Sequence, residues 1–256
     1  MIQSLFSLTN RVAIITGGSR GLGAQMATAY AEAGANIAIC SRDGSACEEM
    51  AQRLTQQYGI QAYGAQCDVT DEEQITQFVT EVMRQFGKID ILINNSGASW
   101  ATPAEDMPLS AWQKVMDVNV TGTFLMSKAV GQHMIQAKQG KIINIASIAG
   151  FGGTPAFMQT VGYNTSKGAI ITFTKDLAVK WGQYNICVNA LAPGFFPTKM
   201  SQVLIKHGQE YIMQVTPLGK LGSDEDLKGA AIFLASSAAD YITGVILPVD
   251  GGASAL

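Results

Sequence analysis

Between residues 11 and 192, short runs rich in Ile, Val and Ala alternate with longer segments of helical periodicity, and this alternation constrains the fold more than any single motif. Two parallel strands cannot be joined by a tight hairpin, so the chain must cross back over the sheet, usually as a helix. The runs 11–16, 36–41, 61–66, 89–94, 141–146, 186–192 and 245–249 read as seven buried or half-buried strands. Helices are expected over 21–33, 45–58, 71–86, 109–134, 163–181 and 224–236. Ser45 with Glu48 and Thr70 with Glu73 match the capping box, in which hydroxyl and carboxylate satisfy free amides of a first turn. The expected architecture is α/β, a doubly wound parallel sheet with helices on both faces. Residues 195–217 break the alternation; they follow Pro193-Gly194, are apolar, and read as a small lid inserted over the strand ends. No linker-like shift in composition appears, so residues 1–256 read as one domain.

Composition narrows the function classes. With 47% hydrophobic and 14% charged residues the chain has ample material for a core, which argues against disorder. Seventeen basic against twenty acidic residues give a net charge of -3 and no basic run, so no nucleic-acid partner is expected. No apolar stretch reaches the roughly 18 residues of a membrane span. Residues 1–10 lack the basic and apolar regions of a secretory signal, and a cytoplasmic location is expected. Cys40, Cys47, Cys67 and Cys187 show no C-x-x-C spacing and read as reduced, buried thiols, with no metal site expected. The two histidines, His133 and His207, read as surface or packed side chains on helices.

The first strand runs into Thr16-Gly17-Gly18-Ser19-Arg20-Gly21-Leu22-Gly23 and then a helix. Missing side chains there let backbone amides and a helix N-terminus approach a pyrophosphate. The spacing is G-x-x-x-G-x-G rather than G-x-G-x-x-G, and a plain tight turn would use the same residues. Gly17, Ser19 and Gly21 also satisfy G-x-S-x-G, the nucleophile elbow of hydrolases. An elbow normally follows several strands that build its oxyanion hole; here one strand precedes it and no His-Gly-Gly segment lies upstream.

Tyr163 and Lys167 stand at i and i+4 near the start of a helix and share one face. Alone, the pair could be an aromatic stacked on a lysine stem. Ser147 at the end of the fifth strand and Asn119 in the interior of the 109–134 helix, where asparagine is mildly unfavourable, add polar groups that invite a functional reading.

With these residues in view, the chain resembles the short-chain dehydrogenase/reductase family from Leu8 to Gly252. The 16–23 loop, Asp68-Val69, Asn94-Asn95-Ser96-Gly97, Asn119, Ser147, Tyr163, Lys167, Pro193-Gly194 with Thr198, and Asp250-Gly251-Gly252 fall in the family's order. The resemblance implies a Rossmann-type fold, reversible carbonyl reduction, and Asn119, Ser147, Tyr163 and Lys167 as the catalytic residues. It implies a cofactor held by Gly17, Ser19, Arg20, Gly21, Leu22, Gly23, Ser41, Arg42, Asp68, Val69, Asn95, Ser96, Gly97, Tyr163, Lys167, Pro193, Gly194, Phe196 and Thr198. Homotetramers are usual among relatives, with contacts through 109–134, 163–181 and 245–249. A relative that keeps the loop but only senses the nucleotide would bind it without consuming it. Two departures stand out: Ser96 replaces the usual alanine, and Ser147 to Tyr163 is longer than the common spacing, which enlarges the loop 150–162 beside the substrate pocket.

The chemistry explains the residue types. Hydride delivery to a ketone leaves an alkoxide that needs a proton; Tyr163 can give it, with positive charge from Lys167 and oxidised nicotinamide lowering a phenol whose free value is about 10. Ser147 would bond the carbonyl oxygen, and Asn119 would hold a water linking Lys167 to solvent. NADP(H) is expected over NAD(H), because Ser41 stands where an acid would bind the free ribose, and Arg42 and Arg20 can clasp a 2′-phosphate. Asp43 could reverse that preference by reaching the ribose. Two branches of the family compete for the substrate. Residues 192–200 resemble gluconate 5-dehydrogenases; Ile39-Cys40-Ser41-Arg42-Asp43 through Arg53, with Ser99-Trp100, resembles 3-oxoacyl carrier-protein reductases of the rhamnolipid type. Phe195, Phe196, Met200, Val203, Leu204 and Ile205 of the lid, with Phe151, Phe157 and Met158 opposite, favour an acyl thioester, and an acyl carrier protein as partner, over a sugar acid.

Overall fold

The computed structural model describes residues 2–256. Among them, the strands β1 (Val12–Thr16), β2 (Asn36–Ser41), β3 (Ala62–Gln66), β4 (Ile91–Asn94), β5 (Gly140–Ile145), β6 (Ile186–Pro193) and β7 (Ile246–Val249) start and end within two residues of the expected runs. All pair in parallel, in the order β3-β2-β1-β4-β5-β6-β7. The order reverses between β1 and β4, so neighbouring crossovers leave in opposite directions and open a crevice at the strand C-termini.

Side chains alternate across the pleat, and both faces are covered. Ala13, Ile15, Ile37, Ile39, Ile91 and Ile143 pack on one side with Met26, Tyr30, Met50 and Leu234, from the helices α2 (Gly21–Glu32), α3 (Gly44–Tyr58) and α9 (Lys228–Ala235). Their neighbours Ile14, Ala38, Leu92 and Ile142 pack on the other with Phe78, Val130 and Leu177, from α4 (Glu72–Phe86), α6 (Gly122–Ala137) and α7 (Val161–Trp181). A short α1 (Ile2–Phe6), not expected from the sequence, precedes β1. All four cysteines are free and buried. No helix among the described residues is long and apolar enough to cross a membrane.

Several local expectations are corrected. The helix expected over 109–134 is α5 (Leu109–Met116), then a π turn at Asp117–Thr121, then α6. Apolar spacing barely registers one extra residue in the hydrogen-bond ladder, so the break was hidden. The expected 224–236 helix shortens to α9. The cap of α3 is Asp43, not Ser45: its carboxylate accepts from the Ala46 amide at 3.1 Å and from the Ser45 hydroxyl at 2.9 Å. The cap of α4 is Asp71, not Thr70; it accepts from the amides of Glu73 and Gln74, and the Gln74 side chain reaches back to it at 2.7 Å. The helix start is thus displaced, because an aspartate next to Thr70, or two before Ser45, is an equally good cap.

The 195–217 segment contains α8 (Gln202–Gln214), which carries His207 and is kinked at Gly208. Met158, Ile205 and Ile212 are buried together, with Phe195, Leu204 and Leu221 against them. Much of the apolar lid therefore packs on itself and on the enlarged loop. Phe196 turns into the main core, its ring lying where a Cβ on Gly222 would come within 2.5 Å.

Candidate active site

The crevice beside β1 is built by close backbone approach. Gly17 and Gly21 have φ of +63° and +55°, the left-handed region that favours glycine. A Cβ on Gly23 would fall 2.3 Å from the Gly17 carbonyl oxygen, and one on Gly18 2.7 Å from Ile39. The turn is tied to the end of β4: the Thr16 hydroxyl accepts from the amides of Asn95 and Ser96, both at 3.0 Å, and the Asn95 amide group donates to the carbonyls of Thr16 and Gly17. Extended Arg20 precedes α2 with no side chain capping the first-turn amides. These amides, opening on a crevice cleared of side chains, fit a dinucleotide pyrophosphate. Thr198, at the start of the lid, faces Gly21 from the other side, its methyl 3.8 Å from where a Cβ would lie.

At the outer edge the Ser41 hydroxyl is engaged in its own turn, donating to the Asp43 carbonyl at 3.1 Å and lying 3.1 Å from the Cys47 sulfur. The Asp43 carboxylate is held below the usual range by the Ala46 amide, the Ser45 hydroxyl and, more weakly, Arg20. Arg20 and Arg42 are exposed, and neither has an ion-pair partner among the described residues. Asp68 accepts from the amide and hydroxyl of Thr70, and buried Val69 packs on Gly122.

The four polar residues singled out from the sequence converge at the ends of β4 and β5. Ser147 lies two residues beyond β5, caps a short 3-10 turn, and is 8% exposed. Gly150, at the end of that turn, lets it pack on α7: a Cβ would meet the Lys167 main chain at 2.7 Å. Lys167 is 5% exposed, donates to the Ile145 carbonyl at 2.6 Å, and places Nζ 5.5 Å from the Tyr163 ring centre. Burial lowers the Lys167 ammonium to about 8. Burial pushes the Tyr163 phenol up, and a hydrogen bond with Ser147 pulls it partly back. The sequence suggested a phenol lowered by Lys167 and oxidised nicotinamide together; in the protein by itself desolvation wins.

Asn119 sits inside the π turn, 1% exposed, and clamps the Ala98 peptide. Its Oδ1 accepts from the Ala98 amide at 2.7 Å; its Nδ2 donates to the Ala98 carbonyl at 2.9 Å and to the Ser166 hydroxyl at 2.8 Å. Ser166, which sequence reasoning missed, is fully buried between Asn119 and the first turn of α7; its place next to Lys167 was the only available signal. The loops of the mouth are joined in pairs. The Thr102 amide donates to the Gln159 carbonyl at 2.9 Å, while Phe157 packs edge-on against Tyr211 and covers Gly208 of the lid.

A parallel doubly wound sheet with this glycine turn, and with tyrosine, lysine and serine gathered at the strand ends, defines a nucleotide-dependent oxidoreductase. A family model described as enoyl-(acyl carrier protein) reductase matches residues 17–254. The chain belongs to the short-chain dehydrogenase/reductase family, whose members act on CH–OH or C=O groups. It is 36% identical to a 3-oxoacyl-(acyl-carrier-protein) reductase of Aquifex aeolicus, over 96% of this chain and 98% of that one. It is 37% identical to a gluconate 5-dehydrogenase of Gluconobacter oxydans, over 97% and 96%. A gluconate 5-dehydrogenase from Burkholderia cenocepacia, solved in complex with NADP and tartrate, superposes over the whole of both chains with a TM-score of 0.95 at 36% identity.

Proposed function

We propose that the protein is an NADP(H)-dependent reductase of ketones bearing an apolar chain, of the 3-oxoacyl thioester type. The observation that carries the substrate assignment is the rim. Trp100, Phe151, Phe157 and Met200, from the loops after β4, β5 and β6, remain 44 to 51% exposed beside the site. Large apolar side chains left exposed on loops at the strand C-termini suit a binding surface, and covering them is worth roughly 25 cal/mol per Å².

When bound, the cofactor would supply a hydride to the carbonyl carbon. Tyr163 gives the proton: its phenol, pushed up by burial, is protonated at neutral pH, as a donor must be. The Ser147 hydroxyl, beside that phenol, bonds the same oxygen as charge develops. Lys167 is anchored by one N–H on Ile145 and keeps others for a ribose hydroxyl. The Asn119 side chain is engaged with Ala98 and Ser166, so both of its N–H groups are spent before any water joining Lys167 to solvent could use them. Exposed Arg20 and Arg42, neither in an ion pair among the described residues, support NADP(H), and the engagement of Asp43 in its helix cap counts against its reaching a ribose.

Exposed Lys199 and Lys206 of the lid suit the phosphate of a pantetheine arm or an acidic carrier protein. Leu109, Phe124 and Val179, exposed on α5, α6 and α7, support assembly into a homotetramer. Four buried free thiols suit the reducing cytoplasm. A second reading, a gluconate 5-dehydrogenase-like sugar-acid oxidoreductase, is favoured by the lid core of Met158, Ile205 and Ile212, which spends apolar surface on itself. The deciding measurement is kcat/KM with NADPH for acetoacetyl-CoA, a longer 3-oxoacyl thioester and 5-keto-gluconate. The thioesters are expected to lead; preference for the sugar acid would replace the first reading with the second. Binding of NADPH with no turnover on any ketone would point to a sensor.

A further inference from the structure

We propose that Ser166 is a positioning residue for the reduction, tying the π turn at Asn119 to the first turn of α7 so that Tyr163 and Lys167 keep their mutual placement. The inference rests on the reductase reading above. Ser166 is fully buried, and its hydroxyl is used in both directions. It accepts from Asn119 Nδ2 at 2.8 Å and donates to the Tyr163 carbonyl at 2.7 Å. Asn119 in turn holds both polar groups of the Ala98 peptide. One chain of hydrogen bonds thus runs from the loop after β4, through the π turn, to the main chain of Tyr163.

The Tyr163 carbonyl is also the regular helical acceptor for the Lys167 amide, four residues on. A second donor on that oxygen fixes the turn separating the two side chains. From the opposite side, Gly150 packs on the Lys167 main chain and Ile145 holds its ammonium. The turn is therefore gripped from both flanks, and Ser166 supplies the grip on the Asn119 side. Substituting alanine would leave an Asn119 N–H without a partner in a site closed to water, and the turn would relax to satisfy it. Ser166 touches neither substrate nor reacting atoms; it acts through Tyr163 and Lys167.

The test compares the intact wild-type protein with Ser166→Ala and Ser166→Thr, the latter retaining the hydroxyl. Four quantities are measured: kcat and KM for acetoacetyl-CoA with NADPH, NADPH affinity by fluorescence, and Tyr163 ionisation by ultraviolet difference titration against Tyr163→Phe. Ser166→Ala is expected to lower kcat about tenfold, with KM and NADPH affinity within about twofold, and to move the phenol titration upward; Ser166→Thr should restore both. Unchanged kcat and titration in Ser166→Ala would overturn the proposal. So would a loss of kcat with an unmoved titration, which marks mere packing. If Ser166→Ala does not fold, Ser166→Cys, with a weaker donor of similar size, is expected to give the same changes at smaller size, and wild-type behaviour there overturns the proposal. An inactive wild-type protein would refute the reductase reading alone, because the titration reads the positioning without turnover.

Discussion

Lys167 and Ile145 are joined by a hydrogen bond of 2.6 Å between the ammonium and the last carbonyl of β5, so that a buried lysine is anchored to the rigid sheet rather than to a carboxylate. Its charge is left without a paired anion and pays the cost of burial, which brings its ammonium down to about 8.

That arrangement fixes the sign of a pH effect. Between about pH 8 and the ordinary lysine value of 10.5, the unfolded chain holds the proton while the folded protein has released it, so this group's contribution to stability rises with pH. Below pH 8 both states are protonated and the buried charge destabilises, by on the order of 3 kcal/mol at most. In cofactor-free protein, urea unfolding should show wild type gaining on Lys167→Met from pH 8 to pH 10. A constant difference across that range would contradict the buried, lowered ammonium.

Tyr163→Phe should reduce carbonyl turnover by about a thousandfold or more while NADPH still binds, since only the proton donor and its bond to Ser147 are lost. Stopped-flow turnover together with fluorescence binding checks both halves. A variant with near wild-type kcat would remove Tyr163 from the reaction.

For the cofactor, NADPH is expected to exceed NADH in kcat/KM, and Arg42→Ala should cost about tenfold with NADPH and little with NADH. Asp43→Ala should lower the urea midpoint through loss of the α3 cap and leave the cofactor ratio unchanged. Equal or better efficiency of the wild type with NADH would reverse the preference.

Gly23→Ala should abolish dinucleotide binding, because the added methyl would lie 2.3 Å from the Gly17 carbonyl and 2.5 Å from Asn95 Nδ2 and would push the glycine turn off β4. Gly152→Ala, with nothing within 4 Å, is the matched control. Fluorescence titration with NADPH compares them, and equal affinities would show that the turn adapts.

The strands could be read because parallel strands buried on both faces must be apolar along their length, as Ile91-Leu92-Ile93 and Ile142-Ile143 are. The i, i+4 spacing of Tyr163 and Lys167 likewise survives into space, since a helix converts sequence distance into geometry. Ser166 and the Ala98 peptide escaped because their contacts with Asn119 span 47 and 21 residues, which no local pattern encodes. The lid misled in a different way: Ile205 and, on the loop opposite, Met158 have the composition of a substrate lining, yet composition does not say whether an apolar residue faces a ligand or its own neighbours. Asp43 and Asp71 displaced the expected caps because side chains one or two positions apart compete for the same amides.

The π turn at Asp117–Thr121 means that the helical rod from Leu109 to Ala137 holds one more residue than its length would require as a regular α-helix. Each residue of an α-helix turns the chain by about 100°. Deleting a single residue from the five would restore a seamless rod and could even strengthen it locally. It would also swing Asn119 away from Ala98 and Ser166, or else rotate all of α6 against β5. The surplus residue is a phase setting, decoupling the face that packs on the sheet from the face that meets the chemistry.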